Sequence, residues 1–314
     1  MATVAAVLNS ISMAGALSIF LSMGLYPSLA SGSGRLILFI AISDFGNSCC
    51  GFLRMPESDA LCYAQSVAFN YFGLTTTTTS IFISRAVYIL FYHENSHNVI
   101  KRIINLPIVL AIWGLPAVLC IIPAAFNSYG RDHSSKFCWI RDDVSNVKRI
   151  AMVMALFYIP LWTSMVYAVA VYVAVSSRIK AMLLPNTVEP EPVRMSNAFK
   201  TIRVVVQQLM WFPAVLLLCY CFPSIFRIAS FVGYQRKWLT EAFKTAYFHG
   251  FLNAVVFYSL PNVQRKWGDS LYRKLMSLAQ LLNAESFTVA SGEKQKGPCE
   301  VYPGNVCFNS DFTI

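Results

Sequence analysis

The chain has 314 residues, 56% of them hydrophobic and only 13% charged, where a soluble domain carries about 25% charged residues. With a mean hydropathy of +0.53 and apolar residues gathered in long blocks, the composition excludes a soluble fold, and no connecting segment has room for a separate catalytic domain. The net charge of +10 falls mainly between the blocks, which suits anionic lipid headgroups and acidic partners and not nucleic acid.

In chain order the blocks predict membrane spans at 4–26, 36–55, 61–92, 103–126, 149–179, 200–226 and 241–260. Each is long enough to cross a hydrocarbon core of about 30 Å. The expected fold is an all-α membrane protein, a seven-transmembrane helix bundle over residues 1–260. The first block has no basic leader and reads as a retained signal-anchor. Span two carries Asp44, the one carboxylate well inside a predicted span, and a charge there normally faces the bundle interior with a partner.

At about 1.5 Å per residue, Asp44 lies roughly 12 Å from the inner end of span two and Asn253 about 10 Å from that of span seven. An Asp44–Asn253 contact is therefore expected as an intramembrane switch, the alternative being a purely structural hydrogen bond between helices. Span three opens at Cys62, holds Thr75–Thr79 and ends near Arg85. The threonines read as packing residues bonded back to the backbone, and Arg85 as either a cytoplasmic contact or a snorkelling side chain. Pro116, Pro123, Pro160, Pro213 and Pro223 in spans four to six remove backbone donors and offer hinges or fixed bends. His249, one turn before Asn253, reads as hydrogen-bonded packing.

After span seven, residues 261–282 put Val263, Trp267, Leu271, Leu275, Leu278 and Leu282 on one face, as in an amphipathic helix lying on the membrane surface. Residues 283–314 are polar and expected to form a disordered cytoplasmic tail. With the N-terminus outside, inner segments hold 14 basic residues and outer ones 10, a small bias in the positive-inside sense. Cys62 and Cys138 face the same side in any seven-span topology. A disulfide between them would persist only on an oxidising side and would place that side outside; the alternative is two free thiols.

No catalytic motif, zinc spacing or retinal-type span-seven lysine is present in the sequence, so neither an enzyme nor a cofactor or metal is expected. A transporter or channel using Asp44 is the competing class, although the sequence shows no internal repeat, filter-like loop or second membrane carboxylate.

Trp113–Ile140 (WGLPAVLCIIPAAFNSYGRDHSSKFCWI), Phe157–Trp162 (FYIPLW), Trp211–Ile228 (WFPAVLLLCYCFPSIFRI) and His249–Tyr258 (HGFLNAVVFY) resemble the spans four to seven of the cyclic-AMP-receptor-like family, the slime-mould type (class E) of G-protein-coupled receptor. LILFIAISDF resembles its span two. The resemblance covers about residues 4–282. It departs from the larger rhodopsin-like class in having Ser84-Arg85-Ala86 at the end of span three and Asn253-Ala254-Val255-Val256-Phe257 in span seven. The resemblance implies a plasma-membrane receptor, N-terminus outside and C-terminus cytoplasmic, that passes the binding of an extracellular ligand to a heterotrimeric G protein. On that expectation Arg85, Lys101, Arg102, Arg178, Lys180, Lys200 and Arg203 border the G-protein groove. Trp139, Arg141, Lys148, Arg149 and Arg227 would receive a small anionic ligand. Ordinary positive-inside and surface charge is the competing reading of both sets.

Overall fold

The structure, a computed structural model, describes residues 2–30, 34–53, 55–92, 105–132, 137–141, 143–183, 209–231, 238 and 242–270. The chain divides into two units, 1–265 and 266–314. In the second, residues 266–270 are helical, while 271–282 of the expected surface helix and the tail 283–314 lie outside the described residues. The first unit is the bundle.

Its first helix, α1 (Ala2–Leu25), contains no charged residue. A short 3-10 turn (Pro27–Ala30) leads to α2 (Gly34–Leu53), which carries Asp44 on its buried side. The long α3 (Asp59–Tyr92) follows and packs on α2. Thr75, Thr77, Thr78 and Thr79 bond to carbonyls four residues back, as in Thr75 to Tyr71 and Thr79 to Thr75, which satisfies those hydroxyls within the helix; the buried Thr76 hydroxyl has no hydrogen-bond partner.

Helix α4 (Leu106–Ala125) starts at Asn105, whose side-chain oxygen accepts from the Ile108 amide at 3.4 Å, with Pro107 in the first turn. Both residues suit a helix start, where backbone amides lack helical partners. The helix runs through Pro116 and Pro123 and gives way at Asn127, whose φ of 47° is a left-handed conformation that asparagine tolerates. The turn feeds an antiparallel hairpin, β1 (Tyr129–Asp132) and β2 (Phe137–Ile140), with Arg131 opposite Cys138. A Cys62–Cys138 disulfide fastens β2 to the first turn of α3.

The fifth span is continuous but not uniform: α5 (Asn146–Val153), a π turn (Met154–Tyr158), then α6 (Ile159–Leu183). Pro160 lies just beyond the π turn and has no N–H to donate to the Leu156 carbonyl, so the wider turn falls where the regular ladder is already broken. Helix α7 (Trp211–Phe231) extends past the expected end of span six at 226. Arg227 reads in the sequence as a charge outside the span, but it is buried and paired inside the bundle, so nothing forces the helix to stop before it. Span seven is a 3-10 turn (Phe243–Phe248) followed by α8 (His249–Tyr258). At about 2.0 Å per residue for the first and 1.5 Å for the second, the pair reaches about 27 Å, close to a hydrocarbon thickness.

Among the described residues, five helices are long and apolar enough to cross a membrane by themselves. The other two spans are the threonine-rich α3 and the composite seventh. Large apolar residues such as Leu110 and Val118 on α4, Val166 and Val173 on α6 and Leu218 on α7 are exposed. On a multi-pass membrane protein these are the faces turned to lipid. Inside lie two apolar clusters. Ile19, Ile40, Ile83, Phe212 and Phe257 belong to one; Trp139, Phe157, Tyr158, Leu216 and Tyr220 belong to the other, at the disulfide end.

Candidate functional site

Where the two clusters meet, α2 and α8 exchange a polar contact. Asn253 Nδ2 donates to Asp44 Oδ2 at 2.7 Å, and His249 Nδ1 lies 2.7 Å from Asp44 Oδ1. All three side chains are buried. Both Asp44 oxygens are therefore engaged. His249 Nε2 and the Asn253 side-chain oxygen have no hydrogen-bond partner.

The close approach of α1 and α8 positions this group. Gly250 N–H donates to Ser12 Oγ at 2.9 Å, and a Cβ at Gly250 would meet that oxygen at 2.6 Å. Only glycine fits there. Further along α8, the Tyr258 hydroxyl lies 2.7 Å from Ser22 Oγ and donates to the Ser18 carbonyl at 3.0 Å, tying the seventh span to the first.

A cavity of about 60 Å³ runs from this group toward the disulfide end. Asp44, Asn47 and His249 line one part; Phe69, Trp139, Phe157, Tyr158 and Tyr220 form aromatic walls; Arg227 lies on the lining as well. Tyr220 and His249 rings are 5.8 Å apart, so the aromatic walls touch the polar group.

The hairpin covers this end. Its Trp139 indole donates to Asn70 Oδ1 at 3.4 Å, and Asn70 donates to the Tyr129 hydroxyl at 3.1 Å. Burial pushes the Tyr129 phenol above its ordinary range. Asp132, fully buried, receives Arg149 at 2.9 Å and Arg227 at 3.5 Å. The Arg227 guanidinium also lies 5.1 Å from the Trp139 ring centre. A single carboxylate from the hairpin thus bridges the fifth and sixth spans.

The five residues expected to receive a ligand therefore separate. Trp139 and Arg227 line the cavity. Arg149 stands behind Asp132; Arg141 pairs with Asp143, whose carboxylate raises the guanidinium pKa; Lys148 sits 5.0 Å over the Phe126 ring. Sequence reasoning missed Asp132, because its burial depends on the hairpin folding onto a helix far along the chain. It also set His249 aside, although the four-residue spacing to Asn253 puts both on one helical face and was the available signal.

At the opposite end Arg85 is exposed, and the Arg178 guanidinium lies 4.6 Å from the Tyr92 ring centre, linking α6 to α3. Lys101, Arg102, Lys200 and Arg203 lie outside the described residues, as does the side chain of Lys180. Among the described residues no cluster of three or more metal-ligating side chains occurs.

A seven-helix bundle with a hairpin cover bridged to the third helix defines the class: the receptor fold of rhodopsin. Squid rhodopsin matches with a TM-score of 0.63 over 86% of this chain and 83% of that one, at 15% identity. No protein-family model matches the chain. Among curated proteins, G-protein coupled receptor 1 of Arabidopsis thaliana is 26% identical over 273 residues, 82% of this chain and 77% of that protein. Cyclic AMP receptor-like protein A of Dictyostelium discoideum is 23% identical over 174 residues, 54% of this chain and 43% of that protein. These likenesses support a G-protein-coupled receptor that resembles the cyclic-AMP-receptor-like type, and not an enzyme.

Proposed function

We propose that the chain is a plasma-membrane receptor, with its N-terminus and disulfide end outside and its C-terminus in the cytoplasm, that converts binding of a small anionic ligand into activation of a heterotrimeric G protein. The observation that carries this reading is the cavity reaching from Arg227 and Trp139 to the Asp44–His249 pair. A ligand at its outer part touches the same walls as the polar group joining α2 and α8. A ligand that favours one packing of these helices shifts a two-state population, and small shifts in a packed bundle resolve into discrete rearrangements.

At the inner end, Arg85, Lys101, Arg102, Arg178, Lys180, Lys200 and Arg203 are the proposed contacts for an acidic partner surface. Movement of α6 against α3 would release Arg178 from Tyr92. The competing transporter or channel reading gains no specific observation, because both oxygens of Asp44 are held by neighbouring side chains.

The test is to express the chain with several heterotrimeric G proteins and record their dissociation against a ligand panel that includes cyclic nucleotides, the class named by the Dictyostelium relative. The expected result is ligand-dependent dissociation of at least one G protein. Ligand-gated current or substrate flux with no G-protein response would overturn the proposal.

A further inference from the structure

Pro223 interrupts the backbone ladder of α7 within the bundle. It has no N–H to donate to the Cys219 carbonyl four residues back, and Cys219 is 1% exposed. A buried carbonyl left without a donor is costly, so the break calls for a donor from another element. The seventh span supplies one. Thr245, on the 3-10 turn Phe243–Phe248, donates its hydroxyl to the Cys219 carbonyl at 3.1 Å.

The same hydroxyl has a second acceptor, the Ala242 carbonyl, 2.9 Å from Thr245 Oγ1. A hydroxyl carries one proton, so the two carbonyls compete for it. Given to Cys219, the proton joins two spans; given to Ala242, it stays within the seventh. The position along α7 gives this choice its consequence. From Tyr220 onward the helix is tethered: the Tyr220 and His249 ring centres are 5.8 Å apart, Trp162 donates to Ser224 Oγ at 3.1 Å, and Arg227 pairs with Asp132 at 3.5 Å. Before Cys219, Met210, Pro213, Ala214 and Leu217 line a crevice of about 530 Å³ shared with Val169 and Tyr172 of α6. Thr245 thus stands at the junction between a pinned half of α7 and a half with open space beside it.

We propose that Thr245 is a positioning residue for the sixth span: its hydroxyl takes the place of the N–H that Pro223 lacks, holds α7 in the packing described here, and frees the Trp211–Leu218 half when its proton passes to Ala242. The proposal rests on the receptor reading and adds the residue that sets the balance between two packings of α7. The pairing of Pro223 with a hydroxyl from another span, and not the proline itself, makes the course of α7 depend on a contact that can be given up.

The test is a double-variant cycle on the purified full chain in lipid nanodiscs. Thr245→Val keeps the side-chain shape without the hydroxyl, and Pro223→Ala restores the backbone N–H. Thr245→Val is expected to lower the melting temperature by about 2–4 °C, and Thr245→Ser to melt like wild type. Added to Pro223→Ala, Thr245→Val should cost less than about 1 °C, because the restored amide serves the Cys219 carbonyl. Labelling with 5-fluorotryptophan reports the position of α7 through Trp211, which is exposed and lines the crevice; its resonance is identified by its loss in Trp211→Phe. A second Trp211 resonance should gain several-fold in intensity in Thr245→Val, and not in Thr245→Ser or in the double variant.

An equal loss of melting temperature from Thr245→Val with and without Pro223, an unchanged Trp211 resonance in Thr245→Val, or a Thr245→Ser variant that behaves like Thr245→Val would each overturn it. If Thr245→Val alone does not fold, Pro223→Ala is expected to rescue it, and failure of that rescue overturns the proposal as well. None of these readouts involves a G protein. In cells where ligand drives G-protein dissociation, Thr245→Val should raise the ligand-free signal several-fold, and an unchanged signal there contradicts the role assigned to Thr245. A chain that completes the cycle as described but activates no G protein contradicts the receptor reading alone.

Discussion

His249 and Asn253 each engage one oxygen of Asp44, so they are energetically linked through one side chain. A hydrogen bond to a charged group contributes about 1.5–3 kcal/mol. His249→Ala and Asn253→Ala are each expected to lower stability by about that amount in thermal unfolding of the purified protein. The double variant should deviate from additivity by about 0.5–3 kcal/mol, as residues sharing a partner do; simple addition would mean that the two side chains do not act on Asp44 together. Asp44 and Asn253 were legible in the sequence because a membrane carboxylate is rare and depth follows from counting residues. His249 was legible only through its four-residue spacing, which packing accounts for equally well. Asp132 was not legible, since a short polar stretch between spans gives no sign that one of its carboxylates turns inward.

The hairpin and the seventh span depend on different local constraints. Cys62→Ser removes the covalent hold on β2, and loss of a native disulfide costs about 2–5 kcal/mol; reduced surface expression and a lower melting temperature are expected. A variant that expresses and melts like wild type would show that the aromatic and Asp132 contacts suffice. Gly250→Val is expected to separate α8 from α1, because even a Cβ would stand 2.9 Å from the Ser12 carbonyl and 3.2 Å from Asp44 Cβ. Measured as loss of folded protein at the cell surface, its effect should exceed that of Gly114→Ala, where a Cβ meets nothing within 4 Å. The spans themselves were legible because an apolar block of membrane length seldom forms anything but a membrane helix. The π turn at Met154–Tyr158 and the 3-10 turn at Phe243–Phe248 were not, because hydropathy carries no record of hydrogen-bond period. The end of α7 was misplaced for a related reason: a buried, paired arginine and a boundary arginine look the same in sequence.

At the scale of the whole molecule, the disulfide-end cavity, the polar group of α2 and α8, and the Arg178–Tyr92 contact between α6 and α3 lie on one connected bundle. Charge balance alone says little here, because basic residues are divided almost evenly between the two sides. The placement of Arg227 and Asp132 inside the bundle says more. It turns part of the charge expected at the surface into an internal pair. The most direct measurement is G-protein dissociation recorded in the same cells for wild type and Asp44→Asn at matched surface expression, with binding of the active ligand measured in parallel. Ligand-evoked dissociation in wild type, changed several-fold in Asp44→Asn while the ligand still binds, is the predicted result; identical signalling by both proteins, or flux without any G-protein response in either, would contradict it.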